Sequence, residues 1–244
     1  MNIVITAGGT SEKIDNVRKI TNSSTGKLGV LIANELINKN LNEINKIFYV
    51  CSNKVLRPNN EKIEVIEIES TKDLEDVTVK LLTNNKIDYF IHSMAVSDYT
   101  TSYVTNAKLL SEEIKKNKNK DIEKIIKENT SILNGNKISS YEDNLIIVLK
   151  PTPKIISLIK KFSPQTFLVG FKLLDGVTKE KLIEVACDIR DKNNCDLVVA
   201  NDLSSIRKGN HTAYIIDKYD NEMACIGKEN IAKNLVYEII KNKN

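Results

Sequence analysis

The fold is decided by a stretch near the start of the chain, which reads Ile3-Val4-Ile5-Thr6-Ala7-Gly8-Gly9-Thr10 and, after a charged run, Thr21-Asn22-Ser23-Ser24-Thr25-Gly26-Lys27-Leu28-Gly29. The β-branched run that ends in paired glycines is typical of a buried parallel strand entering a tight turn. The second part places small hydroxyl residues and two glycines just before an apolar helical repeat. Together the two parts predict a loop that holds an anion with backbone N–H groups and a helix N-terminus.

Length and composition are those of an ordinary globular protein. The 244 residues are long enough for one large domain or two small ones, and we expect a single domain. The formal net charge of +4 is too small to indicate a nucleic-acid partner by itself. The four cysteines lack C-x-x-C spacing and there are two histidines, which disfavours a structural zinc site. Without an apolar run of membrane-spanning length or room for a signal peptide, we expect a cytoplasmic protein with no membrane contact.

Helix and strand patterns alternate along the chain, which favours an α/β fold with a mostly parallel, Rossmann-like sheet and helices on both faces. Further strands are predicted at residues 46–52, 64–69, 89–96, 144–150, 167–174, 197–200, 212–217 and 222–226. Helices are predicted at residues 25–38, 71–84, 155–162, 178–193 and 229–241. Residues 100–140 are polar and rich in lysine, which predicts a solvated, mobile segment with a short helix at 122–132.

Four predicted strand ends carry glycine or polar residues, at positions 8–10, 97–98, 170–172 and 201–202. Any one of these ends is explained by the ordinary needs of a turn. In a parallel sheet, however, the carboxyl ends of the strands meet at one rim, where such sheets bind their ligands. The four ends together therefore predict a shared site.

Familiar nucleotide motifs are absent or incomplete. The fingerprint G-x-G-x-x-G does not occur, and Gly26-Lys27 is followed by Leu28 where a Walker A loop needs Ser or Thr. A nicotinamide oxidoreductase is one alternative, disfavoured by the missing fingerprint and by the lack of a mid-chain Tyr-x-x-x-Lys pair. A nucleic-acid-binding module is another, disfavoured because the basic run at 115–120 has no interleaved aromatic residues.

Short motifs occur in a characteristic order along almost the whole chain. They are Thr6-Ala7-Gly8-Gly9-Thr10, Ile14-Asp15-x-Val17-Arg18, Asn22-x-Ser24-Thr25-Gly26-Lys27-Leu28-Gly29, Ala95-Val96-Ser97-Asp98-Tyr99, Lys137-Ile138-Ser139-Ser140, Pro153, Gly170-Phe171 and Ala200-Asn201-Asp202. No single motif is decisive, but their order and spacing are far more specific than one glycine-rich loop. In these motifs the chain resembles the phosphopantothenate–cysteine ligase family, in a stand-alone bacterial form.

This resemblance implies a ligase of coenzyme A biosynthesis that joins 4′-phosphopantothenate to L-cysteine. The carboxylate would attack the α-phosphate of a nucleoside triphosphate and release pyrophosphate, and the cysteine amine would then displace the nucleoside monophosphate. The resemblance favours CTP, with ATP as the alternative because Lys172 follows the stand-alone and eukaryotic pattern. It also implies Mg²⁺, no flavin, and a homodimer formed through a flap and dimerisation segment at about residues 100–150.

The resemblance further implies roles for individual residues. Asn22 and Lys137 would be catalytic: Asn22 would steady the acyl intermediate, and Lys137 would reach the triphosphate from a closing flap. Asp98 would contact substrate and nucleotide and would be the metal ligand. Met94 and Ala95 would join Asn22 and Asp98 in binding the substrate. The implied nucleotide-binding residues are Gly8, Gly9, Thr10, Ser24, Gly26, Gly29, Asp98, Lys137, Pro153, Lys154, Ile155, Ile156, Phe171, Arg190, Lys192 and Asn201.

Overall fold

The computed structural model describes residues 1–40, 42–129, 132–133, 137–207 and 209–241. The chain divides into two compact units. Unit 1 comprises Met1–Thr10, Ser23–Val96 and Lys154–Asn244, and unit 2 comprises Ser11–Asn22 and Ser97–Pro153. The segment expected as a flap therefore falls in unit 2. The short segment Ser11–Asn22 belongs to the same unit, which the sequence pattern does not indicate.

Strands and helices alternate as predicted over most of the chain. The strands are β1 (Asn2–Ala7), β2 (Ser11–Lys13), β3 (Lys19–Thr21), β4 (Lys46–Ser52), β5 (Ile63–Ile68), β6 (Tyr89–His92), β7 (Tyr99–Asn106), β8 (Leu145–Pro151), β9 (Phe167–Leu174), β10 (Leu197–Asp202), β11 (Thr212–Asp217) and β12 (Glu222–Ile226). The helices are α1 (Lys27–Asn40), α2 (Thr71–Asn84), α3 (Ala107–Lys116), α4 (Ile122–Lys127), α5 (Ile155–Phe162), α6 (Lys179–Asn193), α7 (Leu203–Arg207) and α8 (Lys228–Lys241).

Unit 1 is built on a sheet that, over the described residues, has eight strands in the order β12-β11-β10-β9-β6-β1-β4-β5. The six strands from β10 to β5 are parallel, and β11 and β12 extend the sheet in antiparallel fashion. The predicted mostly parallel, Rossmann-like α/β sheet is thereby confirmed. The chain runs from β1 outward to β4 and β5 and returns at β6 on the other side of β1. The order therefore reverses between β1 and β6, the place where open α/β sheets bind ligands.

Helices cover both faces of this sheet because successive strand residues point to opposite sides. On one face, Leu36 of α1 and Leu235 of α8 belong to the same buried cluster as Ile5 of β1. On the other face, Leu74 of α2 packs in a cluster with Val4, the neighbour of Ile5 in the same strand. Burying a side chain of this size stabilises the fold by about 1.5–3 kcal/mol. Helix α5 lies on the second face, and α6 covers β10 there.

Unit 2 contains two antiparallel strand pairs, β2 with β3 and β7 with β8. The polar segment that the sequence predicts to be mobile is more regular than expected, since it contains β7, α3 and α4. Helix α3 begins where the Asn106 side chain accepts a hydrogen bond from Leu109 N–H at 2.9 Å. It has no buried residue, which agrees with the prediction that this segment is solvated.

No helix in the described part of the chain combines the length and the apolar character needed to cross a membrane.

Candidate functional site

The ends of β1 and β6 meet at the point where the strand order reverses. Gly9 pairs with Ala95 in a parallel bridge just beyond the two strands. Ala95 N–H donates to the Gly8 carbonyl at 2.9 Å, and Thr10 N–H donates to the Ala95 carbonyl at 3.2 Å. The structure thus brings the segments that follow β1 and β6 together at the carboxyl edge of the sheet in unit 1.

Gly8 is required by both conformation and space. Its φ of +88° lies in the left-handed region, and a Cβ there would overlap Ser52 Oγ and lie 2.9 Å from Val55 Cγ1. Gly9 N–H donates to the same Ser52 Oγ at 3.2 Å. The amides of Gly9 and Thr10, predicted as phosphate donors, therefore already have partners inside the fold. Gly8 lets the turn approach the end of β4 closely.

The second glycine segment packs against the same loop as the first. Gly26 has a φ of +71°, and a Cβ there would lie 3.2 Å from Val55 Cβ. Leu56 N–H donates to the Thr25 carbonyl at 3.2 Å. Because Val55 neighbours both Gly8 and Gly26, the two halves of the predicted anion loop lie side by side.

Helix α1 begins directly after this loop. Val30 N–H donates to the Gly26 carbonyl at 3.1 Å, which closes the first turn of the helix. Ser24 is exposed in the preceding loop. Gly29 lies within the helix, where a Cβ would come 2.7 Å from the Ala7 Cβ, so it is explained by the close packing of α1 on β1. The loop and the helix start provide the N-terminal dipole that favours an anion.

A buried polar network supports the loop after β6. Thr6 Oγ1 lies 3.0 Å from His92 Nδ1 and accepts a hydrogen bond from Met94 N–H at 3.3 Å. Ser93 Oγ donates to the Thr6 carbonyl at 2.6 Å. Burial lowers the pKa of His92 to about 4, so the ring is neutral at pH 7. The Met94 side chain is buried in the core, whereas Ala95 is half-buried.

Two further strand ends complete the rim of unit 1. Phe171 in β9 is half-buried and packs against the core cluster on the α1 side. Asn201 in β10 is 6% exposed, its Oδ1 lies 3.0 Å from His211 Nε2, and its Nδ2 donates to the Val199 carbonyl at 3.3 Å. Both ends of this amide therefore have a partner inside the protein, and the binding of the nucleotide by Asn201 stays a prediction.

Arg190 and Lys192 do not belong to this rim, and their contact with the triphosphate stays a prediction. The Arg190 guanidinium donates to the Asp217 carbonyl at 2.6 Å, and Asp217 lies opposite Leu197, the first residue of β10. Arg190 is thus at the amino edge of the sheet, about 16 Å from the other end of β10 at 3.3 Å per residue. It also pairs with Asp220 at 2.7 Å. Lys192 lies in the same last turn of α6.

Helix α5 starts with residues from the predicted base-binding stretch. Lys154 occupies the N-cap position, is exposed and makes no side-chain cap hydrogen bond. Ile155 is buried in the core, and Ile156 approaches Gly170, where a Cβ would lie 3.2 Å from its Cδ1. The two isoleucine side chains thus serve packing.

Unit 2 carries the predicted residues Asn22, Asp98 and Pro153. Asn22 is half-buried and follows β3, whereas Asp98 and Pro153 are exposed. The Asp98 carbonyl accepts a hydrogen bond from Thr152 N–H at 3.0 Å. Among the described residues, no three His, Cys, Asp or Glu side chains are grouped to hold a metal ion. Mg²⁺ in nucleotide sites is commonly held by one or two carboxylates plus substrate phosphates, and Asp98 fits that donor set.

Lys137 is exposed, and the residue after it is firmly held. Ile138 N–H donates to Asp15 Oδ2 at 3.1 Å, and the Ile138 carbonyl accepts from Arg18 Nη2 at 2.8 Å. Asp15 and Arg18 also form an ion pair of 2.6 Å. These hydrogen bonds hold the pKa of the Asp15 carboxyl well below its usual range, chiefly through Arg18. Asp15 and Arg18 belong to the motif Ile14-Asp15-x-Val17-Arg18, whose sequence alone indicates no role for them.

Comparison with known proteins identifies the family. The model for the DNA/pantothenate metabolism flavoprotein C-terminal domain matches residues 1–135 and 127–242. The chain belongs to this family. A solved member, the DNA/pantothenate metabolism flavoprotein from Streptococcus pneumoniae, is 36% identical, with a TM-score of 0.83 and 99% of each chain covered. The family recognised from the sequence motifs is thereby confirmed.

Curated members of the family are longer than this chain. The Coenzyme A biosynthesis bifunctional protein CoaBC of Thermococcus kodakarensis is 29% identical over 240 residues, which cover 98% of this chain and 51% of the relative. The chain thus spans about half the length of the curated relatives it matches. A Cab2 mutant solved in complex with phosphopantothenate-cysteine has the same fold, with 16% identity, a TM-score of 0.69, and 99% of this chain and 85% of the other covered.

Proposed function

We propose that this protein is a phosphopantothenate–cysteine ligase that acts in coenzyme A biosynthesis through an acyl-nucleotide. The observation that carries the proposal is the alignment of 98% of the chain with CoaBC, a protein named for coenzyme A biosynthesis. The 36% identity to a protein named for pantothenate metabolism supports the same pathway. The reversal of strand order at Gly9 and Ala95 supports a ligand site at the expected edge of unit 1.

The chemistry has two steps. A carboxylate is a poor electrophile until one of its oxygens becomes part of a good leaving group. The carboxylate oxygen of 4′-phosphopantothenate attacks the α-phosphorus of the nucleoside triphosphate, and pyrophosphate leaves. The cysteine amine then attacks the activated carbonyl carbon, the C–O bond to the nucleotide breaks, and the nucleoside monophosphate departs with the original carboxylate oxygen. The amide nitrogen loses its extra proton to solvent or base.

Negative charge is the main obstacle to the first step, because a triphosphate and a phosphorylated substrate must approach each other. Lys137 supplies a cation for the triphosphate, and the loop from Ser24 to the start of α1 supplies backbone donors. The turn at Gly8 keeps the neighbouring backbone close to this loop. Mg²⁺ bound through phosphate oxygens and Asp98 would neutralise further charge.

Asn22 is assigned to the second step. Its amide would hydrogen-bond the acyl-nucleotide while cysteine attacks, and Ala95 would contact the pantothenate part of the substrate. For base recognition we propose the backbone at the start of α5, from Lys154 to Ile156, with Phe171 against the base. CTP is the favoured nucleotide and ATP the alternative.

A homodimer formed through unit 2 remains part of the proposal. Strand β8 carries an apolar run from Leu145 to Leu149 of which no residue is fully buried in the single chain. The antiparallel ribbon of β7 and β8 therefore keeps apolar surface for a second copy. A reaction without flavin is also proposed, since neither step transfers electrons.

The proposal is tested by incubating the protein with 4′-phosphopantothenate, L-cysteine, Mg²⁺ and either CTP or ATP. Pyrophosphate release is measured continuously, and the product mass is read by mass spectrometry. We expect one pyrophosphate and one phosphopantothenoylcysteine per turnover, with CTP used more efficiently than ATP. Absence of pyrophosphate release with both nucleotides would refute the ligase assignment.

A further inference from the structure

The Asp15 carboxylate in unit 2 is buried and accepts an unusual number of hydrogen bonds. The Asp15 side chain is 1% exposed. Its Oδ1 accepts from the backbone N–H groups of Val17 at 2.8 Å and Arg18 at 2.7 Å. Its Oδ2 accepts from Arg18 Nε at 3.0 Å, from Arg18 Nη2 at 2.6 Å and from Ile138 N–H at 3.1 Å. The bonds to Val17 and Arg18 close a local turn, whereas the bond to Ile138 spans 123 positions of sequence.

The backbone of Ile138 is hydrogen-bonded through both its N–H group and its carbonyl group. Its N–H points to Asp15 Oδ2, and its carbonyl accepts from Arg18 Nη2 at 2.8 Å. The Ile138 side chain is buried, with 6% exposed. Lys137, the preceding residue, is exposed. The main chain at Lys137 is therefore anchored one residue away by two charge-assisted hydrogen bonds, which are the stronger kind, while its long side chain extends into solvent.

The hydrogen bonds that join Asp15, Arg18 and the Ile138 backbone, here called the clamp, also fix the strand that leads to Asn22. Arg18 is followed directly by β3, which ends at Thr21 next to Asn22. Strand β3 is held in register against β2, and the hydroxyls of Ser11 and Thr21 lie 2.9 Å apart. One end of the clamp thus belongs to the hairpin that carries Asn22, and the other end belongs to the segment that carries Lys137.

We propose that Asp15 is a positioning residue, which acts through Arg18 and the Ile138 backbone to hold Lys137 at a set place relative to Asn22. Asp15 itself touches neither substrate nor nucleotide in this account. The inference rests on the proposed function, because it is Lys137 and Asn22 that serve the two steps of the ligation. A carboxylate that merely stabilised the hairpin turn would need its bonds to Val17 and Arg18 and no bond to Ile138.

The first experiment tests the clamp without any substrate. Asp15→Asn replaces one acceptor oxygen with an NH₂ group, which then faces N–H donors whichever way the amide is turned. Asp121→Asn is the matched control, since Asp121 also accepts a backbone N–H in unit 2, from Glu123 at 2.8 Å, but has no bond to Ile138. Amide hydrogen exchange at Ile138 should accelerate by about 10-fold or more in Asp15→Asn and stay unchanged in Asp121→Asn. Unchanged exchange in both variants would refute the clamp.

The second experiment asks whether the clamp acts through Lys137. Pyrophosphate release in Asp15→Asn should fall by about 10- to 100-fold, with KM for the nucleotide raised and KM for cysteine unchanged. In a Lys137→Gln background, Asp15→Asn should add little further loss, because the group that it positions is already gone. If the two losses multiply, or if both KM values rise together, Asp15 has no positioning role toward Lys137.

A substitute variant and the substrate-free exchange measurement distinguish a failure to fold, a failure of the proposed function and a failure of the positioning role. If Asp15→Asn does not fold by circular dichroism, Arg18→Lys takes its place, because lysine keeps the charge but cannot bond Asp15 twice and the Ile138 carbonyl together. Arg18→Lys is then expected to free the Ile138 carbonyl and to raise KM for the nucleotide, and a normal KM would refute the proposal. If the wild-type protein releases no pyrophosphate, the proposed function fails, and the positioning role toward Lys137 falls with it. The exchange experiment still reports whether the clamp exists.

Discussion

Replacing Gly8 with alanine probes the turn on which the carboxyl edge of unit 1 depends. The φ of +88° places an L-residue in the left-handed region, which costs about 1–2 kcal/mol. The new Cβ would also overlap Ser52 Oγ and lie 2.9 Å from Val55 Cγ1. Forced packing of this kind costs about 1–3 kcal/mol. We therefore expect Gly8→Ala to lower the free energy of unfolding by about 2–5 kcal/mol.

A matched variant separates the conformational contribution from the packing contribution. Gly227 has nearly the same φ, +85°, but a Cβ there would meet no atom within 4 Å. Gly227→Ala should therefore lose about 1–2 kcal/mol. Ser52→Gly in the Gly8→Ala background should recover part of the packing loss, although it also removes the acceptor of Gly9 N–H.

The assay is urea unfolding followed by far-ultraviolet circular dichroism, because the chain has no tryptophan. Differences in the free energy of unfolding are calculated from the urea concentrations at the midpoints, with the same dependence of free energy on urea concentration for all variants. If Gly8→Ala is no more destabilising than Gly227→Ala, the close approach of the turn to Ser52 is not what requires glycine, and the reasoning is refuted.

Three further predictions concern the proposed reaction and the pH dependence of stability. Asn22→Asp should let the acyl-nucleotide accumulate without amide formation, as detected by mass spectrometry, because a carboxylate cannot donate to the intermediate; normal turnover would contradict the role. Lys137→Gln should reduce pyrophosphate release about 100-fold, whereas Lys118→Gln, in the same unit, should leave it unchanged; equal effects would remove Lys137 from the site. As the pH falls from about 6.5 to about 4, the buried His92 should lower the free energy of unfolding by about 3 kcal/mol, since only the unfolded chain takes up the proton. Urea titrations across this range should show a smaller fall in His92→Asn, and an identical fall would contradict the assignment.

Much of unit 1 could be predicted because its strands are buried on both faces and appear as continuous apolar runs. The predicted bounds at residues 46–52, 155–162 and 167–174 coincide with β4, α5 and β9. The order of the strands could not be read from these runs, because pairing depends on contacts between distant segments. The point of reversal between β1 and β6 emerges only from the structure.

Unit 2 was harder to predict for a physical reason. Strand β7 reads Tyr-Thr-Thr-Ser-Tyr-Val-Thr-Asn, without a clear apolar alternation, because it pairs with β8 in a two-stranded ribbon and has no second sheet neighbour among the residues that the structure describes. Helix α3 buries none of its residues. Its apolar residues therefore do not form a core-facing stripe that could be recognised in this lysine-rich segment. The buried residues of β7 are Val104 and Thr105, which are adjacent and therefore set no recognisable alternation.

The candidate site likewise contains residues that the sequence could predict and residues that it could not. Gly8 and Gly26 were recognisable because positive φ and close packing demand glycine. The partners of Arg190, Asp217 and Asp220, lie 27 and 30 positions away, and no local signal reveals them. The bond between Asp15 and Ile138 likewise joins residues too distant in sequence to be paired by any local pattern.

The central claim, ligation through an acyl-nucleotide, is tested most directly by an isotope transfer. 4′-Phosphopantothenate labelled with oxygen-18 in its carboxylate is incubated with the protein, L-cysteine, Mg²⁺ and CTP or ATP, and the phosphorus-containing products are analysed by mass spectrometry. The account predicts unlabelled pyrophosphate and a nucleoside monophosphate that carries one oxygen-18 atom from the carboxylate. A nucleoside diphosphate together with labelled inorganic phosphate, or a monophosphate without the label, would contradict it.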